Sequence, residues 1–377
     1  MDRAEALEEL VCRLVEIESV NPDLVATGSG ETKIAQFVAS WLGDAGLEVQ
    51  TVEPVPGRPS VVGVLRGSGG GKSLMLNAHM DTVGAGGMAD AFSPRVENGR
   101  VYGRGAYDMK ASLAAIMLTA REAAKRRLKG DLIITAVADE EVASLGTSAV
   151  LEQYHADAAI VTEPTELRLC LAHKGFVWLE VETIGVAAHG SRADLGMDAI
   201  ANMGRVLTGV LELNERLQSG HRHPLLGTGS IHASLIEGGQ EMSTYPVRCI
   251  AKFERRTIPG ETTESCLREL EEISPPHSLG RAREERSALV KVNLDRPPSD
   301  LPADHPVSRV VAEVAGNPVV VGVAYWMDMA LTNAAGIPTV AYGPTGGGEH
   351  ADVEWVDLSS VEKSVEVYLK TAEKLCN

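Results

Sequence analysis

The sequence predicts an α/β protein in which a mostly parallel-sheet domain is interrupted by a smaller α+β domain. Three observations predict it. Up to about residue 165, apolar strand-like runs alternate with amphipathic helical segments, the pattern of strands joined by crossover helices. From about Gly175 the order becomes strand, helix, two strands, helix, strand, which packs with its helices on one face of an antiparallel sheet. After a Pro-rich stretch the α/β texture returns. The expectation is a discontinuous domain of 1–175 and 294–377 around an inserted βαββαβ domain of 176–293.

Each element has a local reason. A helix is expected over 2–18, because Leu7, Leu10, Val11, Leu14 and Ile17 share one helical face. A second is expected over 31–46, with others over 109–127 and 145–154. PSVVGVL (59–65), SLMLNA (73–78), DLIITAVA (131–138) and AAIV (158–161) are apolar runs too short for helices and read as strands. RGSGGGKS lies between the first two strands and superficially matches a phosphate-binding loop. That motif needs Gly where Arg66 stands and a helix after Lys72, where a strand follows. The segment therefore reads as a hairpin turn. In the insertion, FVWLEVETIGV is a strand with alternating faces and a helix follows over 194–218. TGSIHASLIEG and VRCIAKFERR are strands, a helix follows Pro259, and a strand lies near SALVKVNL. DRPPSDLPADHP (295–306) reads as the exit linker, before a helix, the strand GIPTVAYGP and a closing helix at 358–375.

Composition narrows the function. Of 377 residues, 44% are apolar, enough for a large core, and the formal charge is −17. That excess repels phosphate backbones and anionic lipid, so neither nucleic acid nor a membrane surface is an expected partner; it also serves solubility. Five cysteines (Cys12, Cys170, Cys249, Cys266, Cys376) stand singly with no C-x-x-C, against a disulfide framework or a thiolate zinc site. The start of the chain is acidic, without the basic and apolar regions of a signal peptide. No run approaches the ~18 apolar residues of a membrane span. A cytoplasmic location is expected.

In open α/β sheets, sites form beyond the carboxyl ends of the strands. There SLMLNA runs into His79-Met80-Asp81, DLIITAVA into Asp139-Glu140-Glu141 and AAIVT into Glu163. GIPTVAYGP leads through a Gly-rich loop to His350, and Asp108 precedes a helix. Taken singly, Asp108 reads as an N-cap, the glutamates as solvated and the histidines as surface or core residues. Together they concentrate more negative charge than one cleft tolerates without cations. Two imidazoles and several carboxylates suit divalent ions, zinc first and cobalt or manganese after, and are about right for two ions sharing a bridge. Strand alternation places Asp81 on the side of His79, where it can orient the imidazole.

HMDTV (79–83), GRGAYDMK (103–110), Asp139-Glu140-Glu141, Glu163-Pro164, HKG (173–175), AAHGS (187–191), ERRTIPGE (254–261) and GPTGGGEHADVEWV (343–356) together resemble the signature of a family of two-zinc amidohydrolases. The family includes acetylornithine deacetylase, succinyl-diaminopimelate desuccinylase, the aminoacylases and carboxypeptidase G. The match runs along nearly the whole chain in order. It implies that His79, Asp108 and Glu163 hold one zinc, with Asp108 bridging to a second held by Glu141 and His350. Glu140 is left as general base for a metal-bridging hydroxide, and Asp81 supports His79. His189, in the inserted lid or dimerisation domain, is implied to reach the partner subunit's site in a homodimer and bond the oxyanion. Arg256 is implied to clamp a substrate carboxylate; Arg255 would face the other side of the strand, in solvent. Ser243 stands where many relatives have Asn, and Asp328, between Met327 and Met329, where many read Thr-Asp-Ala. Both are candidate substrate contacts, and the two methionines and Trp326 are read as core rather than pocket wall.

The implied activity is hydrolysis of the amide of an N-acyl amino acid or small peptide, like acetylornithine deacetylase or succinyl-diaminopimelate desuccinylase. Aminoacylase, dipeptidase or carboxypeptidase G-like action is the alternative. A metal-dependent phosphoesterase would want cations around the metals, where the motifs are acidic. A non-catalytic binding protein of the same fold would have no need of Glu140 or the ligand set, all present here.

Overall fold

A computed structural model describes residues 2–274 and 288–377. In chain order it begins with α1 (Arg3–Glu16), α2 (Thr32–Asp44), β1 (Glu48–Val52), β2 (Ser60–Leu65) and β3 (Leu74–His79). A hairpin of β4 (Arg95–Glu97) and β5 (Arg100–Tyr102) precedes α3 (Ala111–Ala123), β6 (Leu132–Val137), α4 (Leu145–Leu151), β7 (Ala158–Val161) and β8 (Leu169–His173). Then come β9 (Gly175–Ile184), α5 (Ala199–Ser219), β10 (Ser230–Gly238), β11 (Arg248–Thr257), α6 (Thr263–Ile273), β12 (Ala288–Arg296) and β13 (Ser299–Asp300). The chain closes with α7 (Pro306–Val314), β14 (Val320–Val323), α8 (Met329–Ala334), β15 (Thr339–Ala341), β16 (Gly346–Gly347), β17 (Trp355–Asp357) and α9 (Leu358–Leu375). Two compact units result: Met1–Leu171 with Leu301–Val321 and Met327–Asn377, and Ala172–Asp300 with Gly322–Trp326.

The first unit is built on a sheet ordered β1-β2-β6-β3-β7-β15-β8. Its central strands β6, β3, β7 and β15 run parallel, whereas β1–β2, β2–β6 and β15–β8 are antiparallel. The fold is thus α/β with a mostly parallel centre. Strand alternation feeds two cores. Leu74, Leu76, Ala78, Leu132, Ile134 and Ala136 join the cluster of α1, α2, α3 and α9. Met75, Ile133 and Val137 turn the other way, toward Val150, Ala156 and Ile337. Helix α3 is buried along Ala111–Ala120, and its alanines let sheet and helices approach closely.

The glycine-rich stretch after β2 does not form a hairpin. β2 and β3 are not neighbours, because β6 lies between them. All six β6 residues are buried, so that apolar strand takes a partner on each edge, and this outweighs the short loop that favours local pairing. Ser68 and Gly69 instead donate their amides to the carbonyls of Leu128 and Lys129, just ahead of β6. The glycines permit the approach: a Cβ on Gly71 would lie 2.1 Å from the Cys376 carbonyl oxygen.

In the second unit the sheet is ordered β10-β11-β9-β12, antiparallel throughout. Val177, Leu179, Val181, Ala251 and Phe253 pack on Met203, Val206, Val210 and Leu213 of α5 and Leu270 of α6. Arg255 departs from expectation. It does face opposite to Arg256, but that face is covered by α6, and Arg255 is fully buried between Glu261 and Glu269. Met327 and Met329 are buried as core residues. All five cysteines are free, and among the described residues no helix is long and apolar enough to cross a membrane.

Two glycine substitutions should act with opposite sign in urea unfolding. Gly71→Ala forces the main chain of 129–130 and 376 to shift and should cost about 1–3 kcal/mol. Gly204→Ala lies in the α5 interior, where an added Cβ would meet only open space. It should add about 0.5–1 kcal/mol.

Candidate metal centre

Parallel pairing sends the carboxyl ends of β6, β3, β7 and β15 to one edge, and acids and imidazoles follow there. His79 ends β3 and is buried. Its Nε2 lies 3.1 Å from Asp108 Oδ1 and 3.7 Å from Glu163 Oε1. Its Nδ1 lies 3.0 Å from the main-chain oxygen of Asp81 and 3.6 Å from the Asp81 carboxylate. Donation from Nδ1 to that carbonyl aims Nε2 at the acids, and loss of the Nε2 proton would leave the tautomer a metal ligand needs. Asp81 thus meets the imidazole more closely through its backbone than through its side chain. Its carboxylate accepts the amides of Glu140 and Glu141 at 3.1 and 3.2 Å, and Asn21 Nδ2 at 2.8 Å.

His350 completes the group from the loop between β16 and β17. Its Nε2 lies 3.4 Å from Asp108 Oδ2 and 3.1 Å from Glu141 Oε2. Asp108 therefore presents one carboxylate oxygen to each imidazole. It caps no helix: α3 starts at Ala111 with Lys110 as N-cap.

The electrostatics follow from burial and crowding. Burial, then the charge of Glu163, pushes Glu140 well above the usual carboxylate range. Burial also lifts Glu163 well above it, His79 opposing and Asp108 adding to the rise, and burial with Asp108 raises Glu141. Asp108 goes down, because hydrogen bonds from His350 and His79 outweigh its burial. Burial opposes charge on His79, yet Asp108 and Glu163 hold it well above the ordinary imidazole value. Hydrogen bonds to Asp108 and Glu141 push His350 up to about 10. Without cations, the cluster relieves its repulsion by holding protons.

The donor set fits divalent ions. Ligand atoms of His79, Glu140 and Glu163 lie within 4.8 Å of one another, as do those of His79, Asp108 and Glu141. Buried Glu141 Oε1 has no hydrogen-bond donor among the described residues, as expected of an oxygen reserved for a cation. Imidazole and carboxylate, with no thiolate, suit ions that accept mixed N and O ligands. Glu140 falls inside the first of these groups, so its place there does not by itself separate its role from that of a ligand.

Asp328 is buried just ahead of α8 and accepts the Thr147 hydroxyl. Burial pushes it up to about 6, and its charge adds to the rise of Glu140 and Glu163. The remaining sequence candidates belong to the second unit. His189 is exposed, its Nδ1 2.8 Å from Ser191 Oγ. Ser243 is its neighbour, the Ser243 carbonyl accepting the Gly190 amide at 2.7 Å. Arg256 donates from Nε to Glu254 at 2.7 Å and stacks 5.0 Å from the Phe176 ring.

Sequence reasoning missed the supports beneath these groups. Arg58 pairs with Glu31 and Asp139, and Asn21 bridges Asp139 to Asp81, so a buried ladder backs the turn holding Glu140 and Glu141. Asn21, Glu31 and Arg58 stand alone in sequence, and no spacing marks them. Arg104 and Glu354 form a buried pair. Their positions inside GRGAYDMK and GPTGGGEHADVEWV were the one signal available for it.

The chain matches the model of peptidase family M20/M25/M40 over residues 75–374. It belongs to this family. Its members are metal-dependent hydrolases, deacetylases and peptidases, and this chain is one of them. It is 27% identical over 378 residues to acetylornithine deacetylase of Pectobacterium carotovorum, covering 98% of this chain and 97% of that one. It is 26% identical over 382 residues to that of Salmonella typhi, with the same coverage. Among solved structures, aminopeptidase PepT of Bacillus cereus shares the fold with a TM-score of 0.83 at 18% identity, covering 100% and 99% of the two chains. A Bacillus subtilis dinuclear metal binding peptidase of the M20 family gives 0.73 at 18% identity, covering 99% and 98%.

His350, pushed up to about 10, and His79, held above the ordinary imidazole value, carry protons near neutral pH that a coordinating cation must expel. Metal binding should therefore release protons and tighten as pH rises through neutrality. Calorimetry in buffers of different ionisation enthalpy reads this directly; proton-neutral binding would contradict it.

Proposed function

We propose that this protein hydrolyses the amide bond of an N-acyl amino acid, as an acetylornithine deacetylase or succinyl-diaminopimelate desuccinylase-like deacylase in the cytoplasm. The observation that supports this most is Asp108 set between His79 and His350, with Glu163 beside one imidazole and Glu141 beside the other. In this reading His79, Asp108 and Glu163 hold one ion, and Asp108, Glu141 and His350 a second, zinc being the first candidate and cobalt or manganese substitutes. When bound, such ions supply Lewis acidity to a scissile carbonyl and lower the pKa of a water.

The chain's own residues do the rest. Glu140 is the general base: its carboxylate takes a proton from the attacking water and returns it to the leaving nitrogen. Asp81 fixes the Glu140 and Glu141 amides and so sets where that carboxylate stands. Arg256 clamps the substrate carboxylate through its terminal nitrogens, its Nε being occupied by Glu254. Ser243 and Asp328 line the substrate site. The second unit acts as lid and dimerisation module, its β10 edge carrying exposed Leu235 and Ile236, which supports self-association. His189 then hydrogen-bonds the oxyanion in the partner subunit's site.

A hydrolysis screen of zinc- and cobalt-loaded protein over N-acetyl, N-succinyl and N-formyl amino acids and dipeptides identifies the substrate. Turnover of dipeptides alone would favour the dipeptidase alternative. Chelation should abolish activity and either metal restore it. Glu140→Gln should retain bound metal by elemental analysis while turnover falls about 10²–10⁴-fold; an active variant would remove Glu140 from the mechanism. Mixing inactive His189→Ala with inactive Glu140→Gln should regenerate activity on subunit exchange, and no recovery would exclude action of His189 across a dimer.

A further inference from the structure

Arg104 and Glu354 form a buried ion pair, Nη1 to Oε2 2.8 Å, that takes no part in the chemistry above. Glu354 Oε2 also accepts the Gly105 amide at 2.9 Å, and Oε1 accepts the amides of Tyr107 and Asp108 at 2.9 and 3.0 Å. One carboxylate thus gathers three backbone amides of the segment that bears Asp108. Arg104 reaches the other way, its Nη2 to the Ala351 carbonyl at 2.9 Å and its Nε to that of Gly84 at 3.0 Å. Ala351 adjoins His350. The pair therefore stitches the Asp108 segment to the His350 segment.

These two residues need stitching. His79 ends a strand and Glu163 lies two residues past β7, so the sheet places both. His350 sits in a loop at φ +59°, half exposed, and Asp108 in an irregular turn with non-helical angles. The turn has little room to settle elsewhere, since a Cβ on Gly105, at φ +77°, would meet Thr82 Cγ2 at 2.6 Å. A buried ion pair is weak evidence for stability in itself; here every side-chain bond it makes runs to one of the two segments or to Gly84.

We propose that Arg104 and Glu354 are positioning residues that set the separation of Asp108 from His350, and so govern affinity for the ion those two share with Glu141. The ion served by His79 and Glu163 depends on the pair less. This rests on the two-ion reading above.

The test is a cobalt(II) titration of metal-stripped full-length protein, by calorimetry and visible absorption, for wild type, Glu354→Gln and Arg104→Lys. Gln puts an N–H₂ where one oxygen accepts; Lys keeps the charge but cannot reach Glu354, Gly84 and Ala351 together. Wild type should take two cobalt ions. Glu354→Gln should take the first within about threefold of wild type and the second about 10–100-fold more weakly, with an altered cobalt spectrum. Arg104→Lys should show a smaller loss at the same step, and the metal-free unfolding midpoints should stay near wild type. Two ions bound with wild-type affinities in both variants would overturn the inference. So would parallel loss of both ions with a collapse of metal-free stability, which would make the pair a fold element. A wild type that binds fewer than two ions would instead refute the two-ion reading, and the inference with it.

Discussion

The constraint on which the rest of the first unit depends is the charge gathered at one edge of its sheet. Asp81, Asp108, Asp139, Glu140, Glu141 and Glu163 converge where His79, His350 and Arg58 offer positive charge. Burial makes Glu140, Glu141 and Glu163 costlier to ionise, and neighbouring acids compound the cost. Such a cluster is compatible with a folded protein if it binds cations or holds protons, and the geometry around Asp108 is built for the former. Membership of a family of metal-dependent hydrolases accords with that demand.

The parallel centre of the sheet delivers these groups together. Parallel strands need crossover segments, so their carboxyl ends open onto separate loops along one edge. Each loop contributes its own acid or imidazole without competing for backbone space. Rigidity comes from below, from strands buried on both faces and from α3, whose alanines bring the layers close. It comes from the sides through buried polar ties. Asn21, Arg58 and Glu31 back the Glu140 turn, and Arg104 with Glu354 binds two loops that no strand controls. In the proposed metal centre such ties would position the ligands to the tolerance coordination requires, which apolar packing alone does not do.

Much of this was legible because the signals are local. Strand runs, helix periodicity and the acids at strand ends follow from nearest-neighbour chemistry, and the βαββαβ order of the second unit is readable for the same reason. Reading failed where a distant segment intervened. The Gly stretch after β2 is shaped by the approach of 128–130 and 376, not by a hairpin. Arg255 looked solvated because strand alternation says which side a residue faces, not what covers that side; Glu261 and Glu269 cover it. The strands β4, β5, β16 and β17, two or three residues each, are too short for periodicity to register.

The sequence by itself determined the fold class, most of the longer elements and the family, because hydrophobic period and motif spacing are properties of contiguous residues. It also named the imidazoles and acids. Tertiary structure alone decided their mutual geometry: that Asp108 turns one oxygen to each imidazole, that Asp81 faces His79 mainly through its carbonyl, and that Glu354 reaches back 246 residues to hold the Asp108 amide. Those outcomes depend on hydrogen bonds and charge pairs between segments far apart in the chain. Their energies depend on distances that exist only once the sheet has assembled.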